Sequence, residues 1–259
     1  MSERSAYPPD DHVLRDLQIE SWLESPDRSF AVLPVTDAVR GPDGAVRAGA
    51  LVTLVDIACA RVAFTAADPH WIATADLSLV SGEPVTEGEV TAEARLLRAG
   101  SKLIAIDIDL HGAGTAAASF VRIPRAASLV ERALPRLGER TRMELLRPAS
   151  PEAVIERMGL RRAHGGVELD RTEYVGNSFG TINGGVLGFL VAAAAEEATG
   201  LTTADVVLRY LGQTKVGPAH AVATVVRSGS DHAVCDVHVR DAGADGALLA
   251  RATATLVRR

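Results

Sequence analysis

The sequence is short of cysteine and of any block of basic charge, and each shortage excludes something. Cys59 and Cys235 are its only cysteines, each alone in an apolar segment, with no CxxC pair and no Cys/His metal-ligand spacing. A disulfide scaffold and a structural zinc site are therefore excluded as organising devices, and no metal is expected. Lysine occurs only at Lys102 and Lys215, and the abundant arginines are scattered in a chain of net charge −6. Nothing gathers them into a basic face, so neither nucleic acid nor an anionic membrane is expected as a main partner. No apolar run reaches membrane-spanning length without a charge, because Asp56 and Arg61 interrupt the closest one. The opening "MSERSAYPPDDH" lacks the apolar core of a signal peptide, so the expected setting is the cytoplasm.

What is present is enough apolar material for a core: 47% of 259 residues are hydrophobic, sufficient for one large domain or two ordinary ones. The same unit occurs twice. Thr74-Ala75-Asp76 opens "TADLSLVSGEP" and Thr203-Ala204-Asp205 opens "TADVVLRYLGQT". Downstream, "EARLLRAGSK" lies over "VATVVRSGSD", and "IAIDIDLHGAG" over "AVCDVHVRDAG". Upstream, "VRAGALVTLVDIACA" lies over "INGGVLGFLVAAAAE". Each unit reads as a short amphipathic helix ("HVLRDLQIESWLES"; "PEAVIERMGL"), an extended segment, a long apolar helix, and strands of period-two alternation with glycine-bearing turns. The expected class is α+β, one apolar helix wrapped by an antiparallel sheet, twice. The expected boundaries are an N-terminal helical segment 1–29, unit one 30–125, a helical linker 126–151 broken by Pro135, Gly138 and Pro148, and unit two 152–259.

Asp56 sits inside "ALVTLVDIACA", on a helix apolar on every face and hence buried nearly all round. Two readings are open. Asp56 is a structural carboxylate paired to backbone or to Arg61, or its apolar setting raises its pKa and makes it a base or nucleophile. The matching position of the second copy is preceded by the loop "NSFGTINGG". There Asn183 stands at an N-cap position, and Gly184-Gly185 allows close approach to a ligand. Free N–H groups at such a helix start can stabilise an oxyanion; equally, the glycines can serve only a tight turn.

"NSFGTINGGVLGFLV" resembles the Asn…Gly-Thr-x-His-Gly-Gly entry to the central helix of hotdog-fold acyl-CoA thioesterases of the phenylacetate-degradation type. "ALVTLVDIACA" resembles the stretch where that family carries its catalytic Asp, nine residues after the His. The likeness covers roughly residues 30–125 and 152–259, as two hotdog units in tandem, and neither copy is complete. In the first, the His position is Arg47, followed by Ala48-Gly49, and the Asn position is Gly41. In the second, Asn177 and the glycine pair are kept, Asn183 replaces the His, and Ala192 stands in the acid's place. The family pairs the acid of one unit with the loop of another, so the resemblance implies a double hotdog packed as an internal pseudo-dimer, open to further self-association. One site would join Asp56 to Asn177, Asn183 and Gly184; the other, Ala192 facing Gly41, Arg47 and Ala48, would be dead.

The implied reaction is hydrolysis of an acyl-CoA or acyl-carrier thioester, with coenzyme A as part of the substrate and no cofactor. In that reading Gly184 N–H, helped by Asn183, polarises the carbonyl, Asp56 is base or nucleophile, and Asn177 orients water or the carboxylate. Thr74 falls at a hydroxyl position of the family site, or is an ordinary strand threonine. Gly185 and Phe179 would contact substrate, and Phe64, Trp71, Leu187 and Phe189 are either acyl-pocket or core residues. Arg98 with Lys102, and Arg227, are candidates for the phosphates of coenzyme A. Glu196 and Glu197 read as a solvated helix end, and Asp107/His111 and Asp236/His238 as solvated strand residues. The alternatives are a non-catalytic acyl-CoA or lipid-binding protein and a hotdog hydratase, the latter lacking the Asp/His pair it needs at a helix entry.

Overall fold

The computed structural model describes residues 7–124, 134–150 and 152–259. Two long helices carry the core, α2 (Ala48–Ala67) and α4 (Gly184–Thr199). In the first half, the short α1 (Val13–Asp16) leads into strands β1 (Glu20–Ser25) and β2 (Arg28–Pro34). After α2 come β3 (Trp71–Ser81), β4 (Glu89–Ala99), β5 (Leu103–Asp109) and β6 (Gly114–Ile123). The second half repeats this order. A two-residue β7 (Thr141–Arg142) precedes α3 (Val154–Arg157), β8 (Arg161–Ala163) and β9 (Gly166–Leu169); α4 is followed by β10 (Thr202–Tyr210), β11 (Ala219–Ser228), β12 (His232–Asp241) and β13 (Ala247–Val257).

Alternation builds the sheet. Ile104, Ile106 and Ile108 are buried while Leu103, Asp107 and Asp109 are exposed, so β5 lays one face on α2 and the other toward water. The strands form one 13-stranded antiparallel sheet in the order β7-β1-β2-β4-β5-β6-β3-β10-β13-β12-β11-β9-β8. The units join at its middle, where β3 pairs with β10 through Leu77↔Leu208 and Leu79↔Val206. This is the double hotdog, a helix in each half wrapped by that half's strands.

The seam beneath the joined sheet is α2 against α4. A methyl on Gly185 would lie 2.6 Å from Thr53 Oγ1, and one on Gly49 would lie 2.4 Å from Phe189. The repeat equates Gly49 with Gly185 and Thr53 with Phe189, so these are one contact made twice about a pseudo-two-fold axis. By length and composition α2 is apolar enough to cross a membrane, but here it is packed inside the sheet, with Val52, Leu54, Val55, Val62 and Ala63 fully buried.

Several local expectations change. Of the segment expected helical over 1–29, the described residues are helical only at Val13–Asp16; from Ile19 onward the buried positions Ile19, Ser21 and Leu23 alternate, and β1 and β2 pair within the first unit's part of the sheet. The first unit's sheet therefore begins upstream of residue 30. In "PEAVIERMGL" the helix is again one turn, Val154–Arg157. Of the expected helical linker 126–151, residues 126–133 and 151 lie outside the described residues. The remainder contains no helix and adds β7 to the edge at Glu20↔Arg142. Pro135, Gly138 and Pro148 break any helical run there, leaving backbone groups free to pair with that edge.

Candidate active site

The two halves enter their long helices through the same turn. Gly41 N–H donates to Ala45 O and Asn177 N–H to Thr181 O, both at 2.7 Å; Arg47 N–H donates to Val39 O at 3.0 Å and Asn183 N–H to Val175 O at 2.9 Å. On this common frame the side chains diverge. In the second half Asn177 Oδ1 accepts from Phe179 N–H at 2.9 Å and Thr181 N–H at 3.2 Å, which shapes the loop. Asn183 is the N-cap of α4, its Oδ1 accepting from Gly185 N–H at 2.9 Å. Gly184 is the first helical residue, where an N–H has no acceptor within the helix.

Asp56 comes to this loop from α2. A methyl on Gly184 would sit 3.6 Å from Asp56 Oδ2 and 3.6 Å from Tyr210 Cε1, so carboxylate, glycine and tyrosine ring meet at one point. Thr74 Oγ1 donates to Asp56 Oδ1 at 2.9 Å, leaving Oδ2 toward the glycine. Burial pushes the Asp56 carboxyl up to about 6, against the lowering effect of the Thr74 hydrogen bond. The hydroxyl of Thr74 is the hydrogen-bond donor found on Asp56, and the Arg61 guanidinium donates to Ser21 Oγ.

Asp56, Thr74, Asn177, Asn183 and Gly184 line one cavity of about 190 Å³. Its apolar side includes Phe64, Phe120, Phe179 and Leu187. Trp71 ties the units together there, meeting Phe64 and Phe179 edge-to-face at 5.7 and 5.8 Å. Gly212, Gln213 and Thr214 close another side. The loop that follows them is anchored on buried Asp241, which accepts from the backbone N–H groups of Lys215, Val216 and Gly217 at 2.7 to 3.0 Å. Burial raises the Asp241 carboxyl, and these donors outweigh it and hold it below its usual range.

Other residues singled out in the sequence lie elsewhere. Gly185 is occupied by the helix seam and does not line the cavity. Phe189 is fully buried at the same seam, a core residue. Arg98 on β4 and Arg227 on β11 are exposed, as is Lys102, and none lines the cavity. Glu196 is half-buried and partnered: its Oε1 accepts from Thr203 N–H at 3.1 Å and its Oε2 faces Arg47 Nη1 at 3.9 Å. Glu197 pairs with Arg162. His111 Nε2 lies 3.3 Å from Glu93, not from Asp107, and Asp236 takes Arg251 at 3.0 and 3.1 Å with His238 at 3.4 Å. Asp107 and His111 are exposed, as expected, while Asp236 is half-buried and paired with Arg251.

Among the cavity residues that sequence reasoning missed are Tyr7 and Tyr210. Tyr210 ends β10 and donates to Gly184 O at 3.0 Å. The repeat sets it over Ser81, and in a chain with three tyrosines that difference between copies was the available clue. Tyr7 lies beside His12, at 5.4 Å between ring centroids, and its hydroxyl reaches Gly176 O at 3.3 Å.

The pseudo-symmetric position is closed. Around Ala48, Ser81 and Thr203 the space shrinks to about 10 Å³, room for one water at most. Arg47 is turned to Glu196 and to Arg40 O, and Arg259 reaches Asp43 at 3.7 Å.

Comparison with known proteins finds a family match in each half. Residues 43–118 match the thioesterase superfamily, and residues 175–257 match the acyl-CoA thioesterase N-terminal domain. No curated protein is similar enough in sequence to match. Among solved structures, the tesB protein of Mycobacterium avium subspecies paratuberculosis is 12% identical with a TM-score of 0.61, covering 95% of this chain and 97% of its own. The 12:0-ACP thioesterase of Umbellularia californica is 12% identical with a TM-score of 0.61, covering 92% of this chain and 96% of its own. A Lactobacillus plantarum protein assigned as an oleoyl thioesterase gives 12% identity and a TM-score of 0.62, with 95% and 97% covered. At that identity the structures speak for the fold, and the family matches, one on each unit, speak for the chemistry. The chain belongs to the hotdog thioesterases and is a thioester hydrolase made of two such units in tandem.

Proposed function

We propose that the chain hydrolyses an acyl-CoA thioester at a single composite site, with Asp56 of the first unit as general base and Gly184 N–H of the second as oxyanion donor. The observation that carries this reading is the approach of Asp56 Oδ2 to Gly184 at the start of α4, inside a cavity large enough for an acyl thioester group. Asp56 Oδ2 takes a proton from water, and the water oxygen attacks the thioester carbonyl carbon. The charge that develops on the carbonyl oxygen falls toward the Gly184 N–H and the positive end of the α4 dipole. As the tetrahedral species collapses, the C–S bond breaks and the thiolate leaves, taking the proton from Asp56. A carboxyl near pKa 6 suits this work, since it is ionised at neutral pH yet still basic.

Asn183 contributes in two ways in this scheme. Its oxygen caps α4, which leaves the amide nitrogen as its donor toward the cavity it lines. Asn177 acts by shaping the loop, because its oxygen is taken by two backbone N–H groups. The aromatic side of the cavity receives the acyl group, and a carrier-bound thioester presents the same reacting atoms as a CoA one.

The test is steady-state hydrolysis of an acyl-CoA panel followed with a thiol reagent. Turnover on at least one member is expected, abolished in Asp56→Asn and unchanged in Ala192→Ser. Binding of acyl-CoA without turnover across the panel would replace this reading with the acyl-binding one. A donor such as Gly184 N–H contributes about 2.7–4 kcal/mol in comparable enzymes, so any substitution that displaces it should lower kcat by about two to three orders of magnitude.

A further inference from the structure

The softest part of the site is the peptide between Gly184 and Gly185. Two consecutive glycines have no side chain to restrict rotation, and at this helix start the Gly185 N–H has no acceptor within the helix, so the peptide is held from inside α4 only at its carbonyl. Both of its ends are nevertheless gripped. Tyr210 Oη donates to Gly184 O at 3.0 Å, and Asn183 Oδ1 accepts from Gly185 N–H at 2.9 Å. Tyr210 is itself fixed, since it is the last residue of β10 and pairs with Ala250 of β13. Its ring also packs on the glycine, 3.6 Å from where a Gly184 methyl would be.

We propose that Tyr210 is a positioning residue for the oxyanion donor. By adding a second bond to the Gly184 carbonyl it fixes the Gly184–Gly185 peptide and, through the Gly184 Cα, restrains the preceding Asn183–Gly184 peptide that carries the Gly184 N–H. This inference rests on the composite site described above and adds to it a residue from outside the matched helix and loop.

The first copy supplies the contrast. Ser81 stands where Tyr210 does, and its hydroxyl donates across the sheet seam to Ala204 O instead of to its own unit's helix entry. The entry there is Ala48-Gly49, not two glycines. Tyrosine is thus found only in the copy with a glycine pair to restrain. A hydroxyl that acts through a backbone carbonyl affects the transition state, where the oxyanion forms, more than the ground-state grip on substrate.

Tyr210→Phe is the test, because it keeps the ring in the wall of the cavity and removes only the hydroxyl. On the best member of the acyl-CoA panel kcat is expected to fall ten-fold or more, with KM within two-fold of wild type. In amide hydrogen exchange followed by NMR, the Gly185 N–H should exchange about ten-fold faster, while the amides of β10 and β13 keep their protection. Wild-type kcat in Tyr210→Phe overturns the proposal. So does a rise in KM alone, which would make Tyr210 part of the pocket wall and nothing more. If the wild type hydrolyses nothing, the composite-site reading fails by itself, and unchanged Gly185 exchange in Tyr210→Phe then overturns the positioning role independently.

Discussion

Asp56 illustrates how one side chain can oppose stability and, in the proposed reaction, serve chemistry. Its carboxyl, near 4 in an unfolded chain, is pushed up to about 6 by burial. A folded-state value above the unfolded one means that the native state holds its proton longer. The associated stability is complete below about pH 4 and is lost as pH rises through about 6. At pH 8 the ionised Asp56 therefore destabilises the fold by something on the order of 2–3 kcal/mol. Asp56→Asn should be inactive yet melt higher than wild type at pH 8, with the difference vanishing at pH 4; differential scanning calorimetry at both values checks this. Thr74 bears on the same balance. Its hydroxyl holds the ionised form, so in Thr74→Val the carboxyl should titrate above about 6, and the acid limb of the pH–kcat profile should move to higher pH. Of these residues, Asp56 was legible because a charge in an apolar helix is conspicuous by composition alone. Tyr210 was not, since a tyrosine closing a period-two strand looks like any strand residue, and its target is a backbone carbonyl, which leaves no mark in a sequence.

Elements show where local patterning is sufficient and where it is ambiguous. The long helices and the alternating strands were legible because each carries many turns of one period. The stretch from His12 to Ser25 was not, because Val13, Leu14 and Leu17 follow a helical spacing and Ile19, Ser21 and Leu23 a strand spacing within a few residues. The break falls at Gln18, whose φ of 51° ends the helix. Gly185 belongs to the same lesson: it reads as a ligand-contacting glycine, whereas its neighbour is Thr53 of the other helix. With a methyl at 2.7 Å from the Thr53 Cα, the helices must separate, and overpacking of this kind costs about 1–3 kcal/mol. Gly185→Ala should accordingly lower Tm by about 3–10 °C in thermal unfolding. It should also lower kcat, because the first turn of α4 moves with the seam.

At the scale of the whole molecule, the duplication was written plainly in the repeated "TAD" strands, and so was the split of the motif between copies. The closure of the unused position was not, because it depends on distant residues: Arg47 turned to Glu196, and Arg259, from the chain's far end, turned to Asp43. Together with the proposed composite site, that closure predicts a stoichiometry. Isothermal titration with a non-hydrolysable acyl-CoA analogue should give one site per chain, and Ala192→Asp should not raise it to two, since about 10 Å³ leaves no room for substrate there.

The joining of β3 to β10 has one further consequence. Where separate subunits share a reaction centre, dilution takes the centre apart. In the proposed composite site a single polypeptide carries both contributors, on units bound along a common row of backbone hydrogen bonds, so catalytic output per mole of chain should stay constant from micromolar down to picomolar protein.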